Sequence, residues 1–157
     1  MSGAALLSID DVQQRADAIV AMTDDALSRD ATALADELLE LGEAVLLAWL
    51  ASKGRAPADG EVEGFRLLAL HRQGAKGDPS FNACRETCRE VVYHRNLILH
   101  DPASPDVART LRLGAMVVAH LALFIGGKLQ EAGLGEFCCS SRPVRQPETL
   151  NPIAESA

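Results

Sequence analysis

The sequence predicts an all-α protein, a single-domain bundle of about five helices. Its 157 residues suit one domain and are enough to bury a core without disulfide or metal staples. Alanine and leucine dominate, while aromatic residues make up only 4% of the chain, which favours helices over sheets. Apolar side chains recur every three or four residues, and no segment shows the strict alternation of a half-buried strand.

The first two predicted helices occupy the N-terminal third of the chain. The first runs from about Ser8 to Arg29, with Ser8 as its N-cap and a soft break near Asp30. The second runs from Ala31 to Ser52 and has the strongest apolar stripe, so we expect it to be central. That stripe contains Leu34, Leu38, Leu41, Val45 and Trp49. Gly54 suits the C′ position beyond its end.

The next two predicted helices are separated by a glycine-rich loop. The third covers about Glu61 to Gln73, and residues 74–79 form the loop. The fourth starts near Ser80, with Asp78 or Ser80 as its cap, and runs toward His100. The proline of Asp101-Pro102 disfavours helical geometry before it and stops this helix.

The fifth predicted helix covers residues 105–132. It follows a cap, a proline at the first helical position and an acid in the first turn. It is apolar nearly all round from Leu113 to Ile125, so we expect it to be buried centrally or shared in a homodimer. We assign residues 1–136 to the helical domain, with its core at about 31–132. Residues 137–157 are predicted to be a polar, proline-containing tail that is disordered or draped over the surface.

Charge and cysteine content narrow the class of protein. The net charge of −7 argues against a nucleic-acid coat protein, which is normally basic. The first residues lack a secretory signal and no apolar run spans a bilayer comfortably, so we expect a cytoplasmic protein with reduced thiols and no membrane association. Cys84 and Cys88 have a spacing that can bind zinc, but their core-facing position favours buried thiols. We predict no metal and no cofactor.

Several polar side chains that could bind or react with a substrate lie close together between Tyr93 and Pro102. On an ideal helix with 100° per residue, the apolar residues of the fourth helix share one arc, and Arg95 falls near its centre. A charge at that position needs a partner, must snorkel, or lines a cavity. The adjacent flank carries Arg85, Arg89, Asn96 and His100. Such a stripe can hold a phosphate and move a proton, although a solvated helix face has the same pattern.

The segment from Arg95 to His100 resembles the R-x4–6-H motif of the HEPN superfamily. HEPN domains are small and all-α, and many are metal-independent RNases or toxins. A polar residue often follows the motif arginine, and here it is Asn96. The family motif lies at the junction of the last two core helices, where this segment also falls. The resemblance therefore implies a HEPN-like fold for the helical domain.

The same resemblance implies an endoribonuclease, a toxin or defence component, that cleaves RNA by 2′-hydroxyl attack. His100 would move a proton, Arg95 would stabilise charge on the phosphoryl oxygens, and Asn96 would orient or bind. Arg85 and Arg89 are candidates for binding the RNA or nucleotide. A toxin would also have a cognate antitoxin. Pro102 stands where several toxin members carry a tyrosine that a partner nucleotidyltransferase modifies, which argues against that route of regulation.

Two other hypotheses remain open. The chain is alternatively a non-catalytic HEPN-like module that binds RNA, a nucleotide or a protein, or an unrelated helical-bundle adaptor. The motif spacing recurs in the pairs Arg66…His71 and Arg89…His94, so spacing alone does not select Arg95…His100. The following amide and the helix-end position favour that third pair. We expect His71 and His94 on the surface or flank, and His120 in the core or an interface.

Overall fold

The computed structural model describes residues 7–132, which contain six α-helices, one 3₁₀ helix and no strand. The α-helices are α1 (Ile9–Val20), α2 (Asp24–Arg29), α3 (Ala31–Ser52), α4 (Arg66–Ala75), α5 (Arg85–His100) and α6 (Val107–Glu131). The 3₁₀ helix, Pro79–Cys84, leads directly into α5. The predicted all-α class is confirmed. The tail predicted at 137–157 lies outside the described residues.

Two of the predicted helix boundaries are confirmed in detail. Ser8 caps α1 through reciprocal hydrogen bonds, in which its hydroxyl accepts from the Asp11 N–H at 3.0 Å and its N–H donates to the Asp11 carboxylate at 3.2 Å. The α3 helix occupies the predicted range, because its apolar repeat is uninterrupted until Lys53. Gly54 follows with a φ of 69°, the left-handed conformation that glycine adopts without steric cost.

The first predicted helix is wrong in its length, because the chain breaks between α1 and α2. A distant arginine stabilises this break: Arg112 of α6 donates to the carbonyl oxygens of Val20 at 3.1 Å and Met22 at 2.6 Å. The same guanidinium forms an ion pair with Asp24 at 2.7 Å. Thr23 then caps α2 by accepting from a backbone N–H. The carbonyls left free at the end of α1 are therefore satisfied from another helix.

The third predicted helix is wrong at its start, which lies at Arg66 and not near Glu61. Val62 and Phe65 close a tight turn through two backbone hydrogen bonds of 3.1 and 2.9 Å. Glu63 and Gly64 between them have positive φ values of 55° and 86°. Two successive positive φ values define the type I′ turn, which is incompatible with a helix. The non-glycine residue in this turn, Glu63, is held in a conformation that L side chains rarely adopt.

The 3₁₀ helix is organised around Phe81, which is fully buried. Its ring centroid lies 5.3 Å from that of Trp49 on α3 and 5.8 Å from that of His71 on α4. Lys128 of α6 lies over both the Phe81 and Trp49 rings and forms an ion pair with Asp78 at 3.2 Å. As predicted, Asp78 caps this segment, accepting from a backbone N–H. One aromatic side chain thus joins α3, α4 and α6 to the start of α5.

One histidine differs from its predicted environment, and for a second the structure excludes one of two predicted environments. His71 is buried, with 6% of its surface exposed, and its Nε2 lies 2.8 Å from the carbonyl oxygen of Phe81. That carbonyl gives the ring a polar partner inside the core, which the local pattern does not reveal. His120 is exposed on the outer face of α6, so it is not a core residue. Its role in an interface stays a prediction, and His94 is half-buried on the flank of α5.

The α6 helix packs against α1, α3 and α5, and its inner face supplies much of the core. The expectation of central burial is confirmed for Leu121, while Val117 and Phe124 are only half-buried. Large apolar side chains on the outer face remain exposed, namely Leu113, Met116 and Leu123. By length and composition alone, α6 could cross a membrane, although the sequence predicts no apolar run that does so comfortably. Core helices of soluble proteins also meet that criterion.

Gly114 allows α6 to approach α3 and α5 closely, and we expect Gly114→Ala to destabilise the protein. A Cβ there would lie 2.6 Å from Leu38 Cδ1 and 3.2 Å from His94 Cβ. Overpacking of this kind costs about 1–3 kcal/mol, which exceeds the helix-propensity gain of about 0.5–1 kcal/mol. Thermal melts followed by circular dichroism measure the difference.

The matched control is Gly127→Ala in the same helix, where an added Cβ meets nothing within 4 Å. This variant should gain the full stabilisation that comes from the higher helix propensity of alanine, and it should melt about 1–4 °C higher than the wild type. Equal melting temperatures for the two variants would contradict the close approach at Gly114.

Candidate functional site

Arg95 projects from the buried side of α5, but its guanidinium reaches the surface. Its Nη1 donates to Asn96 Oδ1 at 2.9 Å, and its Nη2 lies 3.4 Å from the carboxylate of Asp36 on α3. The guanidinium carbon lies 5.6 Å from the centroid of the Phe65 ring. Its Nε is buried and makes no hydrogen bond within residues 7–132. The prediction that a charge at this position needs a partner or must snorkel is confirmed.

Asn96 and His100 are exposed and lie one helical turn apart on one face of α5. His100 is the last residue of the helix, directly before the Asp101-Pro102 sequence. No hydrogen bond or ion pair between the described side chains joins His100 to Arg95. The backbone positions of these two residues are roughly 140° apart around the helix axis. The structure therefore brings Arg95 and Asn96 into contact and places His100 one turn beyond Asn96.

Arg85 and Arg89 lie on the same flank of α5, but they line a cleft nearer its N-terminus. This cleft has a volume of about 430 Å³ and is also lined by Arg72 and Lys76 from the end of α4. Arg89 donates to both carboxylate oxygens of Glu63 at 2.9 Å. Eleven residues separate Arg89 from His100, which corresponds to roughly 16 Å along the helix axis. The five predicted site residues thus occupy two regions of one helix.

Several residues of these two regions were not predicted from the sequence. Asp36 and Phe65 contact Arg95 from distant parts of the chain, and the sequence contains no local signal for either contact. Arg72 and Lys76 are four residues apart, which is a recognisable row of cations. However, nothing in that spacing shows that the row faces α5.

A buried group of three polarisable side chains lies beneath the cleft. The carbonyl oxygen of Phe81 is shared by His71 Nε2 at 2.8 Å and by Cys84 Sγ, which donates at 3.3 Å. Hydrogen bonds from Cys88 and His71 lower the pKa of Cys84 to about 6, although burial opposes them. The hydrogen bond with Cys84, together with burial, raises the pKa of Cys88. Of the two thiols, Cys84 therefore loses its proton more readily.

The second hydrogen-bond partner of the Cys84 side chain, after Cys88, is His71. Burial lowers the pKa of His71, but its hydrogen bonds to Cys84 and to the Phe81 carbonyl outweigh burial and raise it. The two cysteines are free thiols. Within the described part of the chain, no group of three or more His, Cys, Asp or Glu side chains is arranged to hold a metal ion. The cluster is thus a hydrogen-bonded trio in the core.

Comparisons of the chain with protein-family models, with curated proteins and with solved structures find no match. The resemblance of the motif to the HEPN superfamily accordingly remains an expectation.

We expect the loss of the Cys88 thiol to raise the pKa of Cys84, because that hydrogen bond is the largest cause of its lowering. The ultraviolet absorbance of the thiolate, followed against pH, should rise near pH 6 in the wild type and at higher pH in Cys88→Ala. Subtracting the titration of Cys84→Ser removes the signal of the other cysteines. An unchanged midpoint in Cys88→Ala would refute the hydrogen bond between Cys84 and Cys88 as the main cause of the lowered pKa.

Proposed function

We propose that the chain is a HEPN-like, metal-independent endoribonuclease whose reacting groups are Arg95, Asn96 and His100. The observation that carries this proposal is the contact of the Arg95 guanidinium with Asn96 beside an exposed imidazole one turn away. A planar guanidinium can bind a phosphate bidentately, and an imidazole can transfer protons, so these groups suit phosphodiester transfer. Asn96 and His100 are exposed, and the Arg95 side chain is 26% exposed, so a polymer lying across the end of α5 would contact Arg95 through its guanidinium.

In the proposed reaction, the 2′-oxygen of a ribose attacks the adjacent phosphorus and the bond to the 5′-oxygen breaks. The products are a 2′,3′-cyclic phosphate and a 5′-hydroxyl end. His100 moves the proton that the 2′-hydroxyl loses or the leaving oxygen gains, an effect typically worth 10²–10⁴ in rate. Arg95 stabilises the charge that develops on the phosphoryl oxygens, and Asn96 orients the guanidinium through its side-chain oxygen.

The ion pair between Arg95 and Asp36 is consistent with exchange for a phosphate. Its separation of 3.4 Å is long, and the Asp36 side chain is more than half exposed. Exposed ion pairs of this kind contribute little to stability, so a substrate phosphate can replace the carboxylate at low cost. The Phe65 ring keeps one face of the guanidinium in position during that exchange.

We further propose that two copies of the chain pair through the outer face of α6. Its exposed residues follow a spacing of three, four and three, which is the seam of a coiled coil. They are Leu113, Met116, His120 and Leu123. A second copy presents the same seam, so the surface is self-complementary about a twofold axis. An apolar groove between His94 on α5 and Met116 on α6 continues the seam toward α5.

A non-catalytic binding module is the second candidate, and the cationic cleft favours it. The cleft lies along α5 but well away from His100. A nucleic acid or nucleotide bound there would not be cleaved unless it also reached the end of the helix. Cleavage of RNA in the presence of a chelator separates the two candidates.

If the endoribonuclease proposal is right, His100→Ala should lower the rate of RNA cleavage by at least 10²-fold. Arg95→Ala should have a similar effect, and Arg95→Lys should not restore activity, because lysine lacks the planar fork. Asn96→Ala should cost less, since it only orients the arginine. End-labelled RNA resolved on gels, with chelator present, measures the rates and identifies the cyclic phosphate.

The matched control is His94→Ala, which removes a half-buried imidazole from the same helix and should retain activity. His71→Ala is not a suitable control, because that ring is buried and its loss would destabilise the core. Thermal melts must show that each variant is folded. Full activity in folded His100→Ala would eliminate the catalytic assignment.

If α6 forms the dimer seam, Met116→Asp should give a soluble monomer, since this side chain is 55% exposed and makes little contribution to the core. Light scattering at tens of micromolar should give twice the chain mass for the wild type and the single chain mass for the variant. Ala18→Asp, at an exposed position of α1, adds the same charge elsewhere and should remain dimeric. A monomeric wild type would rule out the seam.

A further inference from the structure

The cleft between α4 and the start of α5 gathers positive charge on an otherwise acidic protein. Four cationic side chains line it: Arg72 of α4, Lys76 directly after that helix, and Arg85 and Arg89 of α5. The whole chain carries a net charge of −7, so this concentration is local. The side chains come from two helices and meet over a concave surface, unlike a solvated row on one convex face. Like charges held together in this way repel each other unless an anion lies between them.

Three of the four cations have no counter-charge among the described residues. Arg89 is paired with Glu63, but Arg72, Lys76 and Arg85 form neither an ion pair nor a side-chain hydrogen bond in residues 7–132. Glu63 itself sits at the rim of the cleft in the positive-φ turn. A strained residue beside a cleft is a frequent feature of ligand sites. The cleft thus presents two arginine forks and an ammonium to an incoming anion.

The remaining lining suits a ligand that has an apolar body as well as an anionic group. Leu68 and Val62 form an apolar wall, Asn82 supplies an amide, and the buried His71 forms part of the floor. Ligand sites commonly combine such walls with a few convergent polar groups. Arginine forks match the oxygens of a phosphate bidentately, and an amide can hydrogen-bond a sugar or a base edge. The volume of about 430 Å³ falls within the usual range for small-ligand pockets.

We propose that this cleft binds the phosphate of a nucleotide, held by Arg72, Lys76 and Arg85, with the base or sugar against the wall formed by Leu68 and Val62. Arg89 stays paired with Glu63 at the rim of the cleft, on the side from which α5 continues toward His100. The phosphate belongs either to a free nucleotide or to a nucleotide within a single strand. Both sources present the same chemistry to the three cations.

The position of the cleft separates it from the reacting groups of the proposed endoribonuclease. The distance from Arg89 to His100 along α5 is roughly 16 Å. At about 3.4 Å per stacked nucleotide, a strand anchored in the cleft would reach His100 after on the order of five nucleotides. The proposal that a single strand runs from the cleft to His100 rests on the proposed function, whereas binding of a free nucleotide does not.

The test measures binding of two probes at low salt, a fluorescent 2′-O-methyl RNA decamer and ATP. The decamer lacks a 2′-hydroxyl, so binding is measured without cleavage. Arg72→Glu and Arg85→Glu should each weaken binding of at least one probe by tenfold or more. For the decamer, each neutral variant, Arg72→Gln or Arg85→Gln, should reduce the slope of log K against log salt by about 0.7.

Arg109→Glu is the matched control, because it makes the same charge change at an exposed position of α6. It should keep binding within twofold of the wild type. Equal weakening by Arg109→Glu, or no binding of either probe to the wild type, overturns the proposal. Binding of ATP alone identifies a free nucleotide as the ligand, and binding of the decamer identifies a strand.

The outcome is independent of catalysis. His100→Ala should bind ATP as the wild type does, even though cleavage is lost, because His100 does not line the cleft. Conversely, Arg72→Glu and Arg85→Glu variants that still cleave RNA and bind both probes as the wild type does would refute nucleotide binding in the cleft. That result would leave the endoribonuclease proposal standing. Circular dichroism checks that each variant is folded. If Arg72→Glu or Arg85→Glu does not fold, Arg72→Gln or Arg85→Gln takes its place.

Discussion

The burial of Phe81 is the constraint that positions both regions of α5. Its ring packs against Trp49 and His71 and leaves no room for a side chain at Gly74, where a Cβ would lie 2.6 Å away. Its carbonyl oxygen also takes the hydrogen bonds of His71 and Cys84. Because this residue lies in the 3₁₀ helix that connects α4 to α5, its packing joins the start of α5 to α3 and α4. Residues of α4 and α5 that flank this connection line the cleft.

Helix boundaries could be predicted from the sequence where neighbouring residues determine them. The repeat of apolar residues and Gly54 define α3, and the Asp-Pro sequence ends α5 at His100. The sequence was insufficient where a boundary depends on a distant residue. The break after α1 is held by Arg112, whose guanidinium arrives from 90 or more residues away. A burial pattern read along one segment contains no information about such a partner.

The same distinction applies to the candidate site. Placement of Arg95 on the core-facing arc follows from helical periodicity, and the need for a partner follows from the cost of burying charge. The identity of that partner, Asp36, and the stacking on Phe65 depend on tertiary structure. The burial of His71 also depends on one carbonyl group of another segment. Side chains that share a helix were therefore predictable, whereas those that meet across helices were not.

The packing of α1 against α6 has a consequence for how the chain folds. The apolar face of α1 consists of Ile9, Val12, Ala16 and Ile19, and α6, its principal neighbour, is the last helix described. Contacts of such large sequence separation raise the contact order, which slows folding. During synthesis from the N-terminus, α1 can pack against α3, but most of its apolar face stays uncovered until α6 emerges from the ribosome. Closure of the core is consequently a late event, in which α1 and α6 dock together.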